Sequence, residues 1–274
     1  MSKIPLTDAQ LKAAAPSIFA DTPIEGVSDR YAFVPTYSIL DTFRNAGYYP
    51  IMASQSKVRN TDNQGYQKHI IQFRSIENLL RPDANQEYAD IVLTNSHNRT
   101  SSFIVDLACW RIVCSNMLLV PSHTFAHHSI IHSGFNLSKI NMAIDEVTSH
   151  IPRMQEEIDR FKTIELSPIE QHAIANAAID IRFRDIHKVQ ARDLLQVHRQ
   201  EDDDATLWSV FNRVQEAVIR GGVKGYNLDT GKSFRSKPIT AIDANLKLNK
   251  QLWNIAKQIS NIKQPPTPAM ALAA

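Results

Sequence analysis

The chain has 274 residues, of which 43% are hydrophobic and 21% charged, and a formal net charge of +2. That length can bury a substantial core, as one large domain or two small ones. The near balance of charge excludes a uniformly basic or acidic protein but leaves room for a binding surface whose cations are segregated. No apolar run reaches the length of a membrane span, and MSKIPLTDAQLKAAAP has no secretory pattern. The two cysteines, Cys109 and Cys114, fit a reduced cytoplasmic protein, and a Cys-x4-Cys pair standing alone makes a poor zinc site.

Residues 1–29, interrupted by Pro16, Pro23 and Gly26, read as a loosely structured segment. A single α+β domain is expected over 30–260, sheet-rich over 30–135 and helical over 136–260. TYSILDTFRNAG predicts a short helix stopped by Gly47. YYPIMASQSKVR, QKHIIQFR, YADIVLTN and SSFIVDLACWRIVC predict antiparallel strands, because β-branched and aromatic residues recur between turn residues.

From Asn136 the period changes. Ile140, Ile144, Val147, Ile151, Met154, Ile158 and Phe161 form a heptad seam on a long helix that Pro152 should kink. The seam either packs on the chain's own sheet or joins copies in a homo-oligomer. Ser167-Pro168-Ile169-Glu170 is a capping box that starts a new helix. A further helix starts near Asp204 and ends at Gly221-Gly222, and a last one runs over about 244–259. The Pro/Ala-rich tail, 261–274, is expected to be disordered.

GYNLDTGKS, residues 225–233, resembles a phosphate-binding loop but fails it twice. Five residues rather than four separate Gly225 from Gly231, and a helix precedes the segment where the mechanism needs a strand before and a helix after. A hairpin turning at Asp229-Thr230-Gly231 is the better reading. Arg220, Lys224, Lys232, Arg235 and Lys237 gather there with Tyr226 and Phe234 between them. Such a ribbon suits a nucleic-acid backbone with bases stacked on the rings, or else it is a solvated hairpin whose aromatics pack inward. Lys57, Arg59, Lys68 and Arg74 form a second basic set at even spacing on two neighbouring strands, which would align them in one stripe.

LWSVFNRVQEAVIRGG, a basic hairpin and KLNKQLW resemble the C-terminal signature of the phage- and plasmid-related family called domain of unknown function 932. RYAFVPT, GYYPIMASQSKVR, GYQKHIIQFR, IVLTNSHNRTSSF and WRIVCSNMLLV resemble that family's successive blocks, over roughly residues 30–260. The resemblance implies a mobile-element setting in a bacterial cytoplasm and implies no activity, cofactor or catalytic residue. Ala217 stands where the family pattern leads one to expect a polar residue.

Other candidates each have a plain alternative. Asn95, Ser96, His97 and Arg99, with Asn116, form a possible polar ligand site, but Ser96 and His97 are adjacent on an extended chain and point apart, so they cannot simply pair for catalysis. Cys114 has no evident base. His123, His127, His128 and His132 supply two i, i+4 pairs for a helical zinc site, without the acidic partner such motifs carry. Glu201 to Asp204 reads as helix capping rather than a metal site. Asn212, Gln215 and Glu216 read as structural hydrogen-bonders tying their helix to the glycine turn.

The leading expectation is a non-enzymatic protein of a mobile element that binds single-stranded DNA in replication or recombination, without metal or cofactor. Its rivals are an enzyme acting on nucleic acid or a nucleotide through residues 95–102, and a phage-encoded protein that binds a host factor.

Overall fold

The computed structural model describes residues 4–27, 33–80, 87–111, 117–119, 127–130 and 137–265. The chain folds into two compact units, Met1–Ile151 and Pro152–Ala274.

The first unit opens with helix α1 (Asp8–Ala14), inside the segment whose prolines suggested loose structure. Thr7 and Gln10 form a reciprocal capping box there, with the Thr7 N–H donating to Gln10 Oε1 at 2.9 Å. Pro16 sits at the start of a 3-10 turn, Pro16–Phe19, where it needs no amide donor. Leu11, Ala15 and Ile18 are buried, and that burial holds the segment in place. A second 3-10 turn, Thr36–Ile39, leads into α2 (Leu40–Asn45), the helix expected before Gly47.

Strands β1 (Tyr48–Gln55), β2 (His69–Ser75), β3 (Glu87–Asn95) and β4 (Phe103–Arg111) form in the four predicted stretches, with α3 (Ile76–Leu80) after β2. They pair antiparallel in chain order. β5 (Met117–Leu119) and β6 (His127–Ile130) both pair with β4, completing a six-stranded sheet. Helix α4 (Leu137–Ser149) packs on β3, β4 and β6 with Ile140, Ala143, Ile144 and Val147 buried.

A polar cluster is sealed inside this unit. Ser17, Thr36, His69, Asn95 and His97 have no exposed surface. His69 Nδ1 lies 3.2 Å from the Gln67 carbonyl oxygen, which can only accept, so Nδ1 carries the proton and also faces Ser17 Oγ at 3.0 Å. Burial drives the His69 imidazole pKa down to about 4, against which the Gln67 bond pulls weakly upward. The ring is therefore neutral at pH 7, and its Nε2 accepts the Thr36 hydroxyl proton at 2.9 Å. That leaves the Thr36 oxygen as acceptor for Asn95 Nδ2 at 2.9 Å and for the Nε2–H of His97 at 3.2 Å. The Gln67 carbonyl fixes the His69 tautomer, the Thr36 hydroxyl then fixes that of His97, and the chain of bonds ties residues 17, 36, 69, 95 and 97 together.

This cluster makes stability depend on pH with a definite sign. His69 in the unfolded chain titrates near 6.5, above its folded value of about 4. Between those values the unfolded state binds the extra proton, so its contribution is complete above pH 6.5 and is lost as pH falls toward 4, at up to about 1.4 kcal/mol per pH unit. Urea titrations across that window should show the loss. In His69→Gln, stability should start lower but vary less with pH; an unchanged slope would assign the dependence to other groups.

The second unit contains α5 (Ile151–Thr163), α6 (Pro168–Arg182), β7 (His187–Val189), α7 (Ala191–Leu194), α8 (Leu207–Arg220), β8 (Lys224–Asn227), β9 (Lys232–Arg235) and α9 (Ile242–Lys263). The long helix expected from the heptad seam is present as α4 and α5, separated at His150. Pro152 has no amide proton for the preceding turn and its ring crowds the carbonyl four residues back. In α5 the seam residues Met154, Ile158 and Phe161 are buried, and the Phe161 and Trp253 rings lie 5.1 Å apart. The seam is thus used within the chain's own units. Ser167, Pro168 and Glu170 form the capping box at the start of α6.

Helix α8 is the core element of this unit, with every residue from Leu207 to Ile219 buried. Thr206 caps it, accepting from Ser209 N–H, and Asp204 Oδ1 accepts from the Thr206 amide at 2.9 Å and hydroxyl at 2.6 Å. Of the acidic run, Asp204 thus supports the cap residue Thr206, whereas Asp202 lies within a 3-10 turn and faces Arg199. Helices α6, α7 and α9 pack around α8. Among the described residues no helix is long and apolar enough to cross a membrane.

Candidate nucleic-acid interface

The GYNLDTGKS segment is a hairpin. β8 and β9 pair with Lys224 opposite Arg235 and Tyr226 opposite Ser233. The turn is closed by Asn227, whose side-chain oxygen accepts from Thr230 N–H at 2.9 Å and whose carbonyl accepts from Gly231 N–H at 3.0 Å. A strand, β9, directly follows the loop, so this segment lacks the helix N-terminus that cradles phosphates in a P-loop. β7 adds a third strand, with Lys188 opposite Tyr226 and Val189 opposite Gly225.

Strand parity sorts these residues onto two faces. Lys188, Lys224, Tyr226, Ser233 and Arg235 share one face, and all of them are exposed. Tyr226 retains 45% of its surface. Phe234 belongs to the other face, against the expectation that it would stack on bases. Its ring lies 4.9 Å from that of His187 and 6.3 Å from that of Phe183. Gly225 opposite it leaves room for the ring: a Cβ there would come within 2.4 Å of Phe234 Cζ. Lys232 is exposed but shares the parity of Phe234, and Lys237 is exposed beyond the end of β9.

The cationic face borders a cleft at the C-terminal end of α8. A cavity of about 290 Å³ is lined by Asp193, Gln196, His198, Val223, Lys224 and Arg235, and adjoins one of about 420 Å³ lined by Arg199, Glu216 and Arg220. Ala217, Gly221 and His198 border both. Glu216, buried, accepts from both terminal nitrogens of Arg199, with Nη2 at 2.6 Å, and from Arg220 one turn on. Asp202 lies 3.6 Å from Arg199. One carbonyl in the last turn of α8 and one just past its end meet cations, which suits the negative end of a helix: Arg182 Nε donates to Val218 O at 3.1 Å and Arg235 Nη1 to Gly222 O at 3.2 Å.

Glu216 therefore ties α8 to the segment before it, and Gln215 Nε2 donates to Asn249 Oδ1 of α9 at 2.9 Å. Asn212 Nδ2 donates to Trp208 O at 2.8 Å. Asn212, Gln215 and Glu216 are structural, as expected, but their partners are neighbouring elements or their own helix rather than the glycine turn.

The second basic set does not form a stripe. Arg74 is buried in β2, its Nε 2.8 Å from Asp90 Oδ1 and its Nη2 2.7 Å from Asp90 Oδ2 on the paired strand. Lys57 and Arg59 are exposed in the loop after β1, and Lys68 precedes β2 and is half-buried. Asn95, Ser96 and His97 are buried in the polar cluster or beside it, so they do not offer a ligand site to solvent; Ser96 Oγ accepts from Ser101 N–H at 2.8 Å. Arg99 is exposed at the turn, with φ of 64°. Asn116, Cys114, His123 and His132 lie outside the described residues. His127 and His128 fall in a strand, β6, not on a helix, and among the described residues no group of three metal-ligating side chains gathers.

Lys188 and His198 were missed by sequence reading. β7 has only three residues, too short for alternation to register, although His187-Lys188-Val189 does alternate. His198 reaches the cleft from an irregular segment.

Fold and site together define a mixed α+β protein, an antiparallel sheet with helices and a second small sheet that bears a basic face. The chain belongs to the family described as Domain of unknown function (DUF932), which matches residues 23–253. It is 32% identical over 256 residues to UPF0380 protein YafZ of Escherichia coli (strain K12), covering 93% of this chain and 92% of that protein. UPF0380 protein YfjQ of the same strain shows the same identity and coverage. No solved structure matches.

Proposed function

We propose that the protein binds single-stranded DNA through the exposed face of the β7–β8–β9 sheet, in the replication or recombination of a mobile element. The observation that carries this reading is the placement of Lys188, Lys224 and Arg235 around an exposed Tyr226 on one small sheet face. The cations neutralise backbone phosphates, and the phenol ring offers a base a stacking surface that a duplex, with its bases already stacked, uses poorly. A phage or plasmid setting in a bacterial cytoplasm is proposed with it, from the family resemblance.

Fluorescence anisotropy of a labelled single strand across a salt series tests the proposal. Three neutralised phosphates give a slope of about −2 in log affinity against log salt. Lys188→Ala/Lys224→Ala/Arg235→Ala should remove most of that slope, and Tyr226→Ala should weaken binding roughly tenfold. Binding with an unchanged slope in the triple variant would move the interface elsewhere, and no binding at low salt would end the proposal.

A further inference from the structure

We propose that the paired cavities at the C-terminal end of α8 receive a phosphomonoester-bearing strand end, one terminal nucleotide entering with its phosphate at Lys224 and Arg235. This deepens the strand-binding reading and rests on it.

Lys224 and Arg235 are register partners, and the same two side chains line the cavity of about 290 Å³. A strand following the cationic face is thereby led to the cavity mouth. The volume is near the lower end of small-ligand sites, enough for a nucleotide and too small for a run of them. Of the carboxylates lining the cleft, Glu216 is already met by Arg199 and Arg220. Asp193 remains on the lining with Gln196, against Lys224, Arg235 and the imidazole of His198. The mouth is thus cationic, while Asp193 and Gln196 offer acceptor and amide groups of the kind that meet a base edge.

The excess of cations favours a monoester over a diester. A terminal phosphate carries about −1.5 to −2 charges at pH 7, whereas each internal phosphate carries one. Ala217 borders both cavities, and its methyl group leaves open a space that a longer side chain would fill. A terminal phosphate can stand at the 5′ or the 3′ end, and the same chemistry would recognise either.

Short oligothymidylates bearing a 5′-phosphate, a 3′-phosphate or neither test this, together with calorimetry of thymidine 5′-monophosphate against thymidine. One phosphorylated end should tighten strand binding roughly tenfold through charge-assisted hydrogen bonds. Ala217→Leu, which fills the shared wall with a good helix former, should abolish that preference and leave the affinity of the unphosphorylated strand unchanged. If its melting temperature falls, His198→Ala decides instead: an exposed side chain is removed without loss of packing, and the preference should shrink. Equal affinity for all three strands overturns the inference and leaves the sheet-face reading standing, as does a preference that survives both variants. No strand binding, with thymidine 5′-monophosphate still preferred over thymidine and lost in Ala217→Leu, would overturn the strand reading and the strand-end proposal with it, leaving a site for free nucleotides. Failure of both ligands ends both.

Discussion

Asp90→Ala should lower stability by about 3–5 kcal/mol, seen as an earlier urea midpoint and a lower melting temperature. Asp90 has no exposed surface, and Arg74 retains 1%. The two are register partners on β3 and β2. Both carboxylate oxygens accept from the guanidinium, and Gln72 Nε2 adds a bond to Oδ2 at 2.6 Å. The guanidinium also lies 4.3 Å from the centroid of the buried Tyr88 ring. Removing the carboxylate strands a guanidinium that cannot lose its proton, in a place water does not reach. The pair itself is worth much less than this, because both ions were desolvated to make it. Arg74→Met/Asp90→Leu should therefore recover most of the loss. A cost below about 1 kcal/mol for Asp90→Ala would mean that water reaches the guanidinium after all.

The fate of Arg74 also shows where sequence reading stops. Spacing correctly placed β1 to β4, the β8–β9 hairpin and the capping box of α6, because each depends on neighbours a few residues away. Parity likewise put Gln72 and Arg74 on one face of β2. It did not reveal that six successive residues of β2 are buried, so that neither face meets solvent and the cation had to find Asp90 from another strand. Phe234 is the same lesson on the small sheet. Its face was fixed by parity, but which face is inner was decided by His187, Phe183 and the missing side chain at Gly225. In α8 the structural role of Asn212, Gln215 and Glu216 was legible, but their partners were not. These residues are buried because α9 and the Arg199 segment approach α8 with matching polar groups. A single chain's sequence does not carry such pairings between distant residues, and the cleft at the end of α8 is assembled from them.

Gly221→Ala should be the most damaging small substitution in the second unit, costing about 3 kcal/mol or more. Gly221 takes φ 75° and ψ −158° as α8 ends, a region essentially confined to glycine. A Cβ there would stand 2.7 Å from Lys237 C and from Ser236 O, and 2.8 Å from Pro238 N. These are backbone atoms, so no side-chain rotation relieves the overlap; the 236–238 segment must move. That segment carries the bonds that hang the hairpin on α8: Gly222 N–H to Ser236 O at 2.7 Å, Val223 N–H to Ser236 Oγ at 3.1 Å and Arg182 Nη2 to Lys237 O at 2.8 Å. Gly222 is the matched control. It also has a positive φ, 83°, but a Cβ there meets nothing within 4 Å, so Gly222→Ala should cost only the conformational strain, about 1–2 kcal/mol. Thermal melts of the two variants separate strain from collision, and strand affinity measured well below the melt follows the hairpin itself. Equal costs for the two variants would show that the 236–238 segment yields freely and that the bonds to it are not what holds the cationic face beside the cleft. A larger loss in Gly221→Ala, with weakened strand binding in the molecules that remain folded, would place the anchor of that face at the end of α8.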